Sequence, residues 1–537
     1  MGAVLGTLSP MLSSDPRQQL DQLGEAELRT LAQQLMARLS NADSELQTKE
    51  RKLVWSTARI AQLTHEIAVL KRWKFSARSE QLDATQKSLL DEDVDADIAA
   101  VELELDSMRS VPRPSERQQA RRAPLPDHLP RVTLRHEPES TTCACGCALK
   151  RFGEDISEKL DYTPGVFTVE RHIRGKWACA KCQSLVQAPV PAQVIDKGLP
   201  TAGLLAQVLV AKYADHLPLH RQEGIFARAG MALSRSTLAE WVGTCGVQLQ
   251  PLVDALKQEV LGHKVLHADE TPVAMLAPGK KKTHKAYLWA YCPGVFEDMK
   301  AVVYDFAPSR AGEHARAFLR RDDGVAWQGQ LVCDDYAGYK ASFTQGVVEV
   351  GCAAHARRKF FELHASTQSA TAAKALVFFG ELYAIEREVR GLDAQQRTAV
   401  RQKTARPVVE ALHTWLLAQR VRATDGTALA RALDYSLKRW AALTRYLDDG
   451  HLPIDNNWVE NQIRPIALGR ANWLFAGSLR AGQRAAAVMS LVQSARLNGL
   501  DSYAYLKDVL QRLPTHPARR VAELLPHRWT AAGGTGD

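Results

Sequence analysis

"KVLHADETPV" occupies residues 264–273, and its reading decides the fold of everything around it. A short apolar run ends in two acids, Asp269 and Glu270, as a buried strand does when it delivers carboxylates to one end. Downstream, "KAYLWAYC" (285–292) and "AVVYDF" (301–306) are strands by composition, and "SRAGEHARAFLR" (309–320) is a helix. "GQLVCDDYAGY" (329–339) is a fourth strand ending in acids. "VVEVGCAAHARRKFFEL" (347–363) is a strand that runs into a basic helix. Apolar strands interleaved with helices predict an α/β domain with a largely buried sheet.

In this reading Asp269 and Asp334 each close an apolar strand of one sheet, where an α/β domain gathers its site. Carboxylates brought together repel unless a cation neutralises them. Hard oxygen ligands suit Mg²⁺ or Mn²⁺, and a pair of such ions supports phosphodiester chemistry. The third acid is expected in "LPIDNNWVENQIRPIALGRANWLFAGS" (452–478), which sets Asp455, Asn456, Asn457, Glu460, Arg464 and Arg470 among large apolar side chains. Glu460 reads either as that third carboxylate or as the end of a capping box begun by Asn457. Arg464 shares its face if the helix persists, although Pro465 disfavours helical geometry in its predecessor. The run "HARRK" supplies His355, Arg357, Arg358 and Lys359 as candidate DNA contacts, and Arg464 and Arg470 join them.

The rest of the chain adds modules. From Leu28 to Leu70 a seven-residue beat runs through Leu39, Leu46, Leu53, Ile60 and Ile67, with a second seam of Leu28, Leu35, Ala42, Lys49, Ser56, Leu63 and Leu70. This predicts a self-associating coiled coil. An acidic run (91–106) and a Pro- and Arg-rich stretch (111–132) read as a charged linker over 83–140. Cys143, Cys145 and Cys147 precede, and Cys179 and Cys182 follow, a pair of strands around a Pro-Gly turn. Thiolate pairs from two turns predict a tetrahedral Zn²⁺ site of Cys143, Cys145, Cys179 and Cys182, with Cys147 as an alternative ligand. "LPLHRQEGIFARAGMALSRSTLAEWV" (217–242) breaks at Ala229-Gly230 and restarts near Ser234. That pattern fits a helix-turn-helix with Arg221 and Arg235 as phosphate contacts, and it fits an ordinary helical hairpin too.

With 537 residues the chain holds several domains, and a net charge of +9 mildly favours a polyanionic partner. Nine cysteines with a local cluster suit metal thiolates in a reducing compartment better than disulfides. No signal peptide and no span of about 20 uncharged residues is evident, so a cytoplasmic location without membrane attachment is expected.

Nine stretches carry a family resemblance: "FSARSEQL", "GEDISEKLDY", "HLPLHRQEGIFARAG", "HADETPV", "DDYAGY", "CAAHARRKFFE", "IDNNWVENQIRPIALGRANWLFAGS", "ARLNGLDSYAYLKDVLQRL" and "HPARRVAELLPHRW". In this order the chain resembles the transposases of the insertion-sequence 66 family, DDE enzymes with a ribonuclease-H-like catalytic core. The resemblance implies a bacterial, nucleoid-associated DNA transposase acting on inverted repeats and target DNA. It implies Asp269, Asp334 and Glu460 as the three catalytic, metal-binding acids, and small accessory proteins of the same element. Two positions depart from the family: Thr142 stands where its zinc module opens with cysteine, and Asp335 replaces a small residue.

The expected organisation is multidomain α+β. A leucine-zipper-like helix (24–82) and the linker (83–140) lead into a β-rich zinc module (141–190) and a helix-turn-helix-like segment (198–260). A catalytic domain (261–480) with a helical insertion (about 366–445) and C-terminal helices (481–530) complete it. A non-catalytic zinc and helix-turn-helix regulator, or a ribonuclease-H-like nuclease, are the competing functions.

Overall fold

The computed structural model describes residues 24–76, 84–108, 124–163, 165–195, 198–277 and 282–531. The chain divides into two units, one of Met1–Val69 with Glu104–Pro112 and one of Leu70–Leu103 with Arg113–Asp537. The first unit contains most of a 52-residue helix, α1 (Glu25–Ser76). Along its heptad seams Leu35, Leu39, Leu46 and Leu53 are at least half exposed. Most of "FSARSEQL" (75–82) lies outside the described residues.

The first part of the charged linker expected over 83–140 is a helix, α2 (Ala84–Ser107), of which all but the last residues belong to the second unit, and strand β1 (Arg131–His136) follows further on. Residues 109–123 lie outside the described residues. The linker expectation weighed the acids of α2 and neglected the apolar residues between them. Leu89, Leu90, Val94, Ala96, Ala100 and Val101 are all buried, and the acids find partners in the fold. Asp91 pairs with Arg235 at 3.2 Å and Asp97 with Arg484 at 2.8 Å. Glu92 accepts backbone N–H bonds from Leu219 and His220, beside the Lys212 ammonium.

A long antiparallel hairpin follows, β2 (Leu149–Thr163) and β3 (Val166–Cys179), with β1 parallel to β3 and β4 (Leu185–Gln187) on its far end. Leu149 pairs with Cys179, so the base of the hairpin brings the Cys143–Cys147 loop against the end of β3. Helices α3 (Ala202–Tyr213), α4 (Leu219–Arg228) and α5 (Arg235–Val260) form the next layer. Gly230, at φ +86°, makes the turn between α4 and α5, and the Ser234 side chain caps α5 by accepting the Thr237 N–H.

A five-stranded sheet carries the chemistry. Its strands are β5 (Val265–Ala277), β6 (Lys282–Pro293), β7 (Val303–Ala307), β8 (Gln330–Cys333) and β9 (Val348–Gly351), in the order β7-β6-β5-β8-β9. The β5-β6-β7 half is an antiparallel meander, and β8 and β9 run parallel to β5. Between β7 and β8 lies the short helix α6 (Gly312–Phe318), and β9 leads straight into α7 (Ala353–Thr367).

The inserted helices α8 (Ala370–Val389), α9 (Arg406–Arg422) and α10 (Ala428–Lys438) share a separate core with α7, built on Phe360, Phe379, Leu412, Leu416 and Leu433. Fully buried Arg401 holds that core to the chain that returns to the sheet. It pairs with Glu386 at 2.6 Å and donates to the Tyr446 and Leu452 carbonyls.

The chain then forms α11 (Asn457–Trp473), α12 (Leu479–Leu497) and α13 (Ser502–Arg512). The helix α11 runs through Pro465 without ending. An interior proline costs about 3 kcal/mol, and burying an aliphatic side chain returns about 1.5–3 kcal/mol. Val459, Ile463 and Ile466 are all buried on its inner face, so packing outweighs the lost hydrogen bond. The residue whose carbonyl loses its partner, Asn461, is exposed to water. Beside it, α12 lies so close to β7 that a Cβ on Gly482 would stand 2.3 Å from the Phe306 ring.

Candidate active site

The strand β5 does not end at its acids, as expected, but continues eight residues beyond Asp269 in pairing with β6. What ends there is its other neighbour: β8 meets β5 at Val265, Leu266 and His267, and stops at Cys333. Asp269 and Asp334 therefore flank the point where the parallel pair opens. Since β8 stops before Asp334, strand alternation does not govern Asp334 and Asp335. Asp334 is half-buried, and its Oδ1 accepts the Tyr336 N–H at 2.8 Å. Asp335 is exposed and lies 3.6 Å from the Arg439 guanidinium.

Glu460 arrives from the first turn of α11 and is not part of a capping box. The N-cap is Asn456, whose side chain makes no cap bond, and Asp455 Oδ1 accepts the Asn457 N–H instead. Asn456 is wholly buried and ties α11 to β5. Its Nδ2 donates to the Ala268 carbonyl at 2.9 Å, and its Oδ1 lies 2.8 Å from His267 Nδ1. Burial pushes the His267 imidazole down to about 4, so near neutral pH its ring is uncharged and Nδ1–H is the donor to Asn456. In the sequence Ala268 leads from His267 directly to Asp269, and Asn456 is the N-cap of the helix whose first turn carries Glu460.

The acids feel one another's charge. The Asp269 carboxyl is pushed well above its usual range, first by burial, then by Glu270, Glu460 and Asp334. Glu270 is raised as well, by burial foremost and against the opposing pull of Arg310. Its side chain is 1% exposed, accepts the Arg310 Nε–H at 2.7 Å and takes the Tyr339 hydroxyl at 3.0 Å. The sequence alone assigned no role to Glu270, His267 or Asn456. The signal for Glu270 was present as a second acid adjacent to Asp269. The other two are legible only once α11 is known to begin against β5.

The basic residues divide by role. His355 Nδ1 lies 3.7 Å from Glu460 Oε1, and Arg358 Nη2 lies 3.7 Å from Oε2. Arg357 and Lys359 are exposed on α7, over the Phe361 and Tyr435 rings. Arg221 and Arg464 are exposed as well. Arg470 instead donates to the Pro272 carbonyl at 2.8 Å, and Arg235 pairs with Asp91. Those two serve the fold at these contacts.

Away from the sheet, Cys143, Cys145, Cys179 and Cys182 converge, with sulfur separations of 3.2 Å (143–182) and 3.7 Å (145–179 and 145–182). Four thiolates on one zinc, each about 2.3 Å from it, lie about 3.8 Å apart, so this set fits the ion. Cys147 stays outside the cluster, where its carbonyl accepts the Cys143 N–H.

Comparison with known proteins adds the family to this geometry. Residues 197–484, which contain Asp269, Asp334 and Glu460, match the family described as "Transposase IS66 family". The chain belongs to the IS66 transposase family. Residues 490–527 match its "IS66 C-terminal element", and residues 140–183 match the "zinc-finger binding domain of transposase IS66". Residues 62–134 match "Transposase C of IS166 homeodomain". Among curated proteins, the chain is 38% identical to the uncharacterized protein y4jD of Sinorhizobium fredii (strain NBRC 101917 / NGR234), over 88% of this chain and 95% of that protein. It is 36% identical to y4qI of the same strain, over 91% and 93%. The zinc-finger match and the four-thiol cluster together support Zn²⁺ as a constituent of the IS66 protein. Among the described residues no helix is long and apolar enough to cross a membrane.

Proposed function

We propose that this IS66 transposase is a DDE enzyme with a ribonuclease-H-like core, in which Asp269, Asp334 and Glu460 hold Mg²⁺ or Mn²⁺. The observation that carries the reading is the Asp269 carboxyl, raised by burial and by three neighbouring carboxylates. Such a cluster is unfavourable by itself and becomes favourable around divalent cations. The sheet order, an antiparallel meander extended by two parallel strands, agrees with the proposed core.

When bound, a metal pair supplies activation of a water or a 3′-hydroxyl and stabilisation of the leaving oxygen. The chain's own residues do the rest. Asn456 and His267 fix the start of α11 on β5, and so hold Glu460 toward Asp269. Arg310 and Tyr339 hold Glu270 turned away from a ligand role. Arg357, Arg358, Lys359 and Arg464 present charge to DNA phosphates beside the acids. The exposed seam of α1 pairs with a second copy, which brings two element ends together. The protein acts in the cytoplasm on element ends and target DNA, with accessory proteins of the same element as further partners.

Incubating the purified protein and Mg²⁺ with labelled terminal inverted repeats and a target plasmid tests this. Joined products are the expected result. Binding without cleavage would establish a regulator, and cleavage without joining would establish a nuclease.

A further inference from the structure

We propose a second sulfur-containing metal site in this chain, formed by Cys352, His355 and Glu460 and taking a thiophilic divalent cation of the zinc class. Cys352 is the N-cap of α7 and His355 lies three residues on, one turn along the same helix. Glu460 approaches from α11, and the three ligand atoms all lie within 4.8 Å of one another. Two of these atoms, His355 Nδ1 and Glu460 Oε1, are buried, 3.7 Å apart and without a hydrogen-bond partner. Buried polar atoms are nearly always satisfied, so a facing pair of unsatisfied ones needs an explanation. A cation between them supplies it.

The distances agree. Zinc bound tetrahedrally by sulfur, nitrogen and oxygen spaces its ligands about 3.3–3.6 Å apart. His355 and Glu460, each with 24% of its side chain exposed, have room to rotate the remaining distance. Cys352 is fully buried, which pushes its thiol up to about 12, and its Sγ accepts the Asn456 N–H at 3.2 Å, a bond that fixes its direction; a cation bound there displaces the thiol proton. Arg358 approaches only Oε2 and leaves Oε1 to the site. Three protein ligands with a fourth position open is the arrangement of reactive rather than closed structural zinc sites. Because Glu460 is also the proposed third acid, a cation bound here withdraws that carboxylate from the Asp269 cluster. Zinc in excess therefore inhibits strand transfer. That consequence rests on the DDE reading, whereas the site itself does not.

Titrating the metal-free full chain with Co²⁺ under reducing conditions tests the site through thiolate-to-cobalt charge-transfer absorbance, which carboxylate-bound cobalt does not give. The wild-type signal is expected to saturate at two cobalt ions per chain, one in the four-cysteine module and one here. Cys352→Ser should saturate at one. His355→Asn, which keeps every cysteine, should weaken the second event by more than roughly tenfold, and it carries the test if Cys352→Ser does not fold. Wild-type saturation at one ion, or a second event unchanged in His355→Asn, would overturn the proposal. No DNA is present, so either result is independent of whether the protein joins strands.

Discussion

At the scale of single residues, the acids divide by what surrounds them. Asp334 is among the charges that raise the Asp269 carboxyl, whereas Asp335 is exposed beside Arg439. Asp334→Asn keeps the shape and removes a negative ligand, so strand transfer should fall at least about 10²-fold with DNA binding intact. Asp335→Asn loses at most an exposed ion pair worth about 0.2–1 kcal/mol and should retain activity. A strand-transfer assay on the two variants checks the assignment, and the reverse outcome would move the second acid to Asp335. The raised Asp269 carboxyl also has a thermodynamic sign. Near neutral pH its charged form is disfavoured in the fold relative to the unfolded chain, so it contributes stability at low pH that is lost as pH rises from its unfolded value near 3.8. Asp269→Asn should therefore raise the metal-free melting temperature at pH 7. Added Mg²⁺ should raise the wild-type melting temperature and leave the variant's nearly unchanged. His267 works the other way: with its imidazole depressed to about 4, it contributes stability above pH 6.5 that falls away as the pH drops toward 4.

At the scale of elements, α1 and the zinc module can each be tested separately from the sheet. Deleting residues 24–69 should lower the oligomeric mass in light scattering and leave the melting of the five-stranded sheet unchanged, because α1 exposes Leu39, Leu46 and Leu53 along one seam. A full-length protein that is already monomeric would contradict the pairing of α1. In the zinc module, a chelator should release one equivalent of zinc per four-cysteine cluster and unfold the β2–β3 end, read as lost amide-exchange protection there. The strands of the main sheet were legible because each is a compact apolar run with flanking turns or charges. The long helix α1 was legible through its period. The helix α2 was not, because a dense run of acids hides the apolar residues that bury it, and their counter-charges, Lys212, Arg235 and Arg484, lie more than a hundred positions away. The persistence of α11 past Pro465 was hidden for the same reason: local geometry argues for a stop, and only the packing of Val459, Ile463 and Ile466 argues against it.

At the scale of the whole molecule, three segments distant in sequence meet at one point: the middle of β5, the exit of β8 and the start of α11. The helical insertion lies between the last two, and buried Arg401 joins its core to the returning chain. The candidate acids Asp269, Asp334 and Glu460 were readable as residue types at strand ends and in the "DNNWVEN" run. Their convergence was not, since it depends on Asn456 reaching the Ala268 carbonyl across 188 residues of chain. Among the basic positions, sequence alone does not separate Arg464, which is exposed, from Arg470, whose guanidinium is taken by β5. In the proposed site Asp269 binds the catalytic metal directly, and a change of metal reads that contact. In Asp269→Cys a soft thiolate replaces a hard carboxylate, which disfavours Mg²⁺ and tolerates the more thiophilic Mn²⁺. Strand transfer by this variant should be lost in Mg²⁺ and recovered at least in part in Mn²⁺. Full activity of Asp269→Cys in Mg²⁺ would show that Asp269 is not a metal ligand.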